Sequence, residues 1–261
     1  MPPATAPVAA WVDSYRQGLK SALQSACGDG FRIVQAGAAG ELHPREFSRS
    51  AGRHLTRYLR DLGLNLDALA AEFPGLGLAD RQSADQRVDE LRRTLALCAE
   101  LRVSTAATRV CGFADESSRP LAEEMLGVVA ELADRYGVAV AVQPGRDDPA
   151  LVAERLRSLD CPKLRIAVDS GTWPPSPDYP TGLAGLVGMV HLRDVRRAGT
   201  RVEEVAYGEG DVDFPALLGR LAEGGYPGAL TIRRDTAAAG IDAMRQGRDY
   251  VEALLRGLTK R

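Results

Sequence analysis

Lysine and histidine are scarce in this 261-residue chain. Of its 33 basic residues only three are lysine, at Lys20, Lys163 and Lys260, so arginine carries nearly all the positive charge. In such a chain one arginine by itself says little about a site. The three histidines exclude a metal cluster built from many imidazoles. The four cysteines, Cys27, Cys98, Cys111 and Cys161, form no C-x-x-C pair and suggest neither a zinc site nor a disulfide framework. A reducing, cytoplasmic setting is the expectation. A net charge of −2 gives no global pull toward nucleic acid or a membrane surface. No apolar run reaches the ~20 residues that a bilayer span needs. Met1 to Thr5 shows no basic stretch leading into an apolar one, so no signal peptide is expected. Linkers, charge blocks and low-complexity segments are absent as well, which leaves residues 1–261 as one domain.

What is present is alternation. Short β-branched runs alternate with longer helical patterns, the signature of a parallel sheet with crossover helices. The expected strands are Val8 to Val12, Phe31 to Gln35, Asn65 to Leu69, Thr105 to Arg109, Val138 to Gln143, Leu164 to Val168, Met189 to Leu192 and Ala229 to Ile232. Eight strands close a barrel, and roughly 250 residues is its usual size, so the fold class is a single (β/α)8 TIM barrel. Several runs are apolar almost throughout, as strands buried on both faces are. Helix starts are expected at Ser83 with Gln86 as a capping box, at Pro120, at Asp148-Pro149 and at Asp213-Phe214-Pro215; Gly224-Gly225 ends the last of these. Ala84, Val88, Leu91, Leu95 and Cys98 make one apolar stripe, and Ile241, Met244, Val251, Leu254 and Leu255 another. A short helix is read between Asp178 and Leu186. Arg49, Arg53, Arg57 and Arg60 share a helix face that reads as solvated.

Chemistry in such a barrel sits at the C-terminal ends of its strands. Those ends carry Asp13, Gln35, Glu72, Arg109, Gln143, Asp169, His191, Arg193, Asp194, Arg233 and Arg234, a polar rim suited to a hydroxylated or anionic small ligand. Four motifs stand in order: Val168-Asp169-Ser170-Gly171-Thr172, Val190-His191-Leu192-Arg193-Asp194, Gly208-Glu209-Gly210-Asp211-Val212-Asp213-Phe214 and Gly225-Tyr226-Pro227-Gly228-Ala229-Leu230-Thr231-Ile232. This ordered set resembles the xylose-isomerase-like barrels, the sugar phosphate isomerase/epimerase superfamily, over nearly the whole chain.

The resemblance implies a metal set of Glu, Asp, His and Glu on successive strands. Asp169 and His191 match; Gln143 and Arg233 stand where the glutamates belong, and Thr172 stands where a further histidine is frequent. In the family the glutamates hold a divalent metal and exchange the proton next to a polarised carbonyl. Gln143 accepts no proton at neutral pH, and Arg233, with a pKa above ~12, releases none. The expectation is a degenerate, self-neutralised site without a cofactor, in which the Arg233 guanidinium takes the metal's volume and bonds to both oxygens of Asp169. The alternative is a divalent ion such as manganese or magnesium on Asp169, His191 and Gln143.

Three functions follow. The first is isomerase- or epimerase-like action on a carbohydrate, cyclitol or related polyol without metal, with His191, Asp169 and Asp194 as the catalytic set. There Asp194 either orients His191 or pairs with Arg193 or Arg196. The second is a lapsed enzyme that binds a carbohydrate-like ligand or a partner. The third is an ordinary metal-dependent epimerase with the strand register shifted, in which Glu72 and Asp235 would matter. Gln143, Arg233, Arg193, Arg109, Gln35, Trp173 and Glu209 are the substrate-binding candidates, with Trp173 as a wall for a sugar face. Arg109, Arg193, Arg196, Arg201, Arg233 and Arg234 together suit phosphate, sulfate or carboxylate, although strand alternation sends Arg233 and Arg234 to opposite sides. The Gly208-Glu209-Gly210 loop resembles the family's loop over the pocket mouth, or is part of an exposed hairpin. Nucleic-acid cleavage in the manner of endonuclease IV does not fit three histidines. Homo-oligomers are frequent in the family, but no interface signature is visible in this sequence.

Overall fold

The structure is a computed structural model and describes residues 6–172, 181–236 and 242–258. Eight parallel strands close into a barrel: β1 (Val8–Trp11), β2 (Ile33–Gly37), β3 (Asn65–Ala71), β4 (Thr105–Arg109), β5 (Ala139–Gln143), β6 (Leu164–Asp169), β7 (Val187–Leu192) and, after an antiparallel hairpin of β8 (Val195–Ala198) and β9 (Arg201–Glu204), β10 (Leu230–Ile232). β10 lies between β7 and β1 and completes the ring. All the expected strands are present, with ends shifted by one or two residues. The hairpin begins six residues earlier than the excursion read from the sequence, directly after β7.

Seven α-helices wrap the described barrel: α1 (Leu19–Gly28), α2 (Arg49–Leu62), α3 (Ala84–Leu101), α4 (Arg119–Tyr136), α5 (Pro149–Ser158), α6 (Phe214–Glu223) and α7 (Ala243–Leu258). Their apolar stripes pack on the outer face of the strands. Each Leu or Val buried there contributes about 1.5–3 kcal/mol. Cys98 is one of these side chains, and burial pushes its thiol up to about 12, which leaves it unreactive at neutral pH.

Asp148 and Asp213 cap α5 and α6 by accepting from the backbone N–H of Ala150 (2.8 Å) and Ala216 (3.0 Å). Ser83 precedes α3 as expected, but the capping box does not form. Its backbone (φ −132°, ψ 6°) lies outside the extended region typical of an N-cap, and its side chain makes no capping bond. Between Asp178 and Leu186 the described residues hold only a short 3-10 turn, Thr181–Leu183. Trp173, Asp178 and Ile241 lie outside the described residues.

The barrel interior is built from small side chains around one indole: Trp11, Ala68, Ala70, Ala107, Ala141, Ala167 and Met189. Side chains along a strand alternate between its faces. Two residues beyond Ala70, Ala107, Ala141, Ala167 and Met189 stand Glu72, Arg109, Gln143, Asp169 and His191. Alternation thus aims these five polar side chains into the mouth of the barrel.

Candidate functional site

A chain of alternating charges crosses that mouth. The Arg193 guanidinium donates to both oxygens of Asp169, Nε to Oδ1 at 3.0 Å and Nη2 to Oδ2 at 2.9 Å. Its Nη1 donates to Asp235 Oδ2 at 2.9 Å. Asp235 Oδ1 accepts from Arg233 Nε at 2.9 Å, and Arg233 reaches across to Glu72, Nη1 to Oε1 at 2.5 Å and Nη2 to Oε2 at 3.2 Å. Arg233 also lies over the Trp11 ring, 4.7 Å from its centroid. A guanidinium therefore does hold Asp169 bidentately, but it belongs to Arg193. Arg233 was expected there and instead pairs with Glu72 and Asp235, because from the end of β10 it faces β3 across the barrel.

His191 is buried beneath this chain. Its ring centroid is 5.0 Å from that of Trp11. Nδ1 faces Arg233 Nη1 at 3.3 Å, and Nε2 faces Gln35 Oε1 at 3.2 Å. A guanidinium only donates, so Nδ1 accepts and the ring proton sits on Nε2, given to Gln35. Gln35 passes the polarity on by donating Nε2 to Asp67 Oδ2 at 3.1 Å. Burial, then the charges of Arg233 and Arg193, hold the imidazole well below its ordinary value of 6.5, against the opposite pull of Asp235. The ring is neutral.

This neutrality predicts an acid sensitivity. Above pH 6.5 the imidazole is neutral both folded and unfolded, and its contribution to stability is complete. Below that pH only the unfolded chain takes the proton, so stability falls by about 1.4 kcal/mol per pH unit until the depressed folded value is reached. Urea unfolding at about pH 7.5 and about pH 5.5 is expected to cost the wild type more than His191→Gln. Equal losses would mean that the imidazole titrates freely.

Asp194 neither orients His191 nor pairs with Arg193 or Arg196. Its carboxylate is buried behind β7 and accepts from the backbone N–H groups of Gly208 (2.8 Å), Gly210 (3.0 Å) and Val212 (3.4 Å). It is the internal brace of the glycine-rich loop. A Cβ on Gly210 would lie 2.1 Å from Asp194 Oδ1, which explains the glycine. Arg196 donates to the carbonyl of Glu209 at 2.8 Å, while the Glu209 side chain is exposed and lines neither cleft of the mouth. Arg234 points to the opposite side from Arg233, as alternation requires, and forms a buried ion pair with Glu204 at 2.8 Å. Glu204 also accepts from the backbone N–H of Asp235 at 3.0 Å. Arg201 pairs with Glu203 on the exposed hairpin.

Two clefts open on the mouth. The larger, about 850 Å³, lies beside Arg109, Arg146, Arg193, Glu204 and Asp235. The smaller, about 290 Å³, lies beside Trp11, Asp13, Glu72 and Arg233. In it the Asp13 carboxyl is raised above its ordinary 3.8, by burial first and by Glu72, against the N–H of Gly37 and the charge of Arg233. Arg109 and Gln143 are Cα partners at the ends of β4 and β5. Arg109 Nε and Gln143 Oε1 are both buried with no hydrogen-bond partner. Among the described residues no three His, Cys, Asp or Glu side chains are grouped to hold a metal ion.

Asp67, Glu204 and Tyr207 escape a reading of the sequence alone. Tyr207 donates to the carbonyl of Leu192 at 2.6 Å and so braces β7 beside the site. Asp67 carries a usable signal, a charge interrupting the apolar run of β3. Glu204 and Tyr207 sit in a polar stretch with nothing local to mark them.

Residues 24–254 match the family model of the xylose isomerase-like TIM barrel. No curated protein sequence matches significantly. Among solved structures, a xylose isomerase domain protein from Planctomyces limnophilus is 24% identical with a TM-score of 0.80, over 98% of this chain and 97% of that one. A xylose isomerase-like TIM barrel protein from Mycobacterium smegmatis in complex with magnesium is 16% identical with a TM-score of 0.77, over 99% of this chain and 100% of that one. A probable 3-DHS dehydratase from Bacillus anthracis is 16% identical with a TM-score of 0.71, over 98% of this chain and 99% of that one. At these identities the likeness is one of fold.

Proposed function

The chain belongs to the xylose isomerase-like TIM barrel family, and from that premise we propose that it binds a small polyhydroxylated ligand at the barrel mouth. In this reading it does so without a divalent metal and without proton exchange between two carboxylates. One observation carries the reading: guanidinium groups already take the electron pairs that a metal would need.

The donor set supports this. A hard dication needs several oxygen or imidazole donors with lone pairs to give. Both oxygens of Asp169 are held by Arg193, and the His191 lone pair faces Arg233. Arg233 is itself a cation. Only Gln143 Oε1 remains unpartnered. A dication placed there would stand among two guanidinium groups, so these residues do not fit it, in contrast to the magnesium-holding relative. Gln143 and Arg233 are also unable to relay protons at neutral pH. The ligand class rests on the family and on the polar rim; the dehydratase among the similar structures, by its name, removes water from a hydroxylated substrate.

A second reading follows from the neutral state of His191. A ligand that draws Arg233 aside exposes Nδ1 as a general base with no counter-charge to overcome. Two measurements decide. Calorimetric titration with manganese and magnesium is expected to give no binding, whereas stoichiometric uptake would overturn the metal-free reading. Incubation with sugars and cyclitols in D2O is expected to raise the melting temperature without placing deuterium on carbon. Deuterium incorporation would move the assignment to the His191 reading, with the protein as an enzyme.

A further inference from the structure

Arg109 lines the larger cleft and Gln143 stands beside it at the end of the next strand; the protein leaves a donor of the first and the acceptor of the second unmatched, and together they describe a ligand. We infer, building on the proposed binding function, that this cleft selects a hydroxy acid of the sugar-acid class. The carboxylate sits on Arg109, and the hydroxyl on the neighbouring carbon donates to Gln143.

Arg109 and Gln143 end adjacent strands in register, about 4.8 Å apart in the sheet. Ala107 and Ala141, two residues earlier, belong to the barrel interior, so both longer side chains enter the mouth from the same wall. Neither makes a side-chain hydrogen bond or ion pair among the described residues, and Arg109 Nε and Gln143 Oε1 are buried orphans. The acidic charges of the cleft are matched, Asp235 with Arg193 and Glu204 with Arg234, while Arg146, exposed to solvent, adds a second cation with no ion pair among the described residues. The uncompensated charge on this wall is therefore positive. The Nε–H of the half-buried Arg109 is shut away from water without an acceptor, which is costly, and a planar carboxylate satisfies a guanidinium by parallel N–H···O bonds.

Gln143 supplies the second half of the description. An amide oxygen beside a carboxylate site requires a donor, which a hydroxyl on the adjacent carbon provides and a carboxylate oxygen does not. Gly145, at φ +63°, passes beside this wall and leaves no room for a side chain: a Cβ there would lie 2.9 Å from Cys111 Sγ. Leu76 and Val202, two exposed large hydrophobic side chains, border the same cleft and offer contact to the C–H faces of a carbon chain.

The test is calorimetric titration with matched compounds: gluconate against glucitol, glucuronate against glucose, gluconate against 2-deoxygluconate, and glucose 6-phosphate. The acids are expected to bind about 10- to 100-fold more tightly than their neutral counterparts. Arg109→Met is expected to bring them to the neutral level, with Arg109→Lys retaining part of the preference. Gln143→Leu is expected to keep the preference for acids but erase that for gluconate over the 2-deoxy acid. Melting temperatures of the variants confirm folding. Glucitol binding as tightly as gluconate would overturn the inference and leave the polyol-binding function standing. Glucose 6-phosphate binding most tightly would overturn the carboxylate. Binding of none of these compounds would overturn both the inference and the function beneath it.

Discussion

Replacement of Arg193 by methionine is expected to destabilise the protein by about 3 kcal/mol, the lower end of the range for breaking a buried ion pair. The lower end applies because Asp235, one of the two partners, is 40% exposed, whereas Asp169 is only 18% exposed. In a chain of this size that loss lowers the melting temperature by roughly 6–12 °C. The cause is the stranded carboxylate of Asp169. Without Arg193 its side chain keeps one hydrogen bond among the described residues, from the Gly171 N–H at 2.9 Å. Adding Asp169→Asn to Arg193→Met is expected to return part of the loss, since the charge that needed a partner is gone. Urea unfolding of the two variants measures both effects. A change within about 0.5 kcal/mol for Arg193→Met, the range of an ordinary surface substitution, would show that the charge chain does not hold the mouth together.

The second expected result is a gain. The double variant Gln143→Glu, Arg233→Glu returns carboxylates to both positions at which the family pattern has them. It also removes the cation that faces His191 Nδ1 and places a new acid beside Glu72 and Asp235. Without metal this variant is expected to be less stable than the wild type, through like-charge repulsion. Manganese is expected to reverse that. At a hundredfold excess over its dissociation constant the ion adds about 2.7 kcal/mol, or roughly 5–11 °C in melting temperature. The wild type, with its guanidinium groups in place, is expected to show no shift. Scanning calorimetry with and without manganese makes the comparison. A double variant as indifferent to manganese as the wild type, even with Arg193→Met added to free Asp169, would mean that Gln143 and Arg233 do not occupy ligand positions.

The strands were legible because several of the barrel strands carry apolar or alanine-rich runs, and such runs survive errors of a residue or two at their ends. Alternation within those strands also put Arg233 and Arg234 on opposite faces. What alternation does not convey is reach. A guanidinium spans several ångströms from its Cα, so whether Arg193 or Arg233 meets Asp169 depends on the curvature of the barrel and on where Asp235 lies. Asp194 illustrates a second blind spot. Next to a histidine strand, an aspartate suggests an orienting partner for the imidazole. Here it points to the other side of β7 and takes the N–H groups of a loop that is distant in sequence. Ser83 and Gln86 carry a capping-box pattern without the geometry, because that pattern specifies residue types and leaves the backbone angles before the helix open.

The alanine-lined interior ties the floor of the pocket to its rim. Beneath the charge chain the barrel is filled mainly by one indole, with Ala68, Ala70, Ala107, Ala141 and Ala167 around it. In a barrel packed with interlocking branched residues, a change of floor must be shared among many neighbours. Here two side chains larger than alanine, Trp11 and Met189, make the floor of the cluster. Because Arg233 stacks on that same indole and His191 lies against it, a substitution there alters the floor and the charge chain above it together.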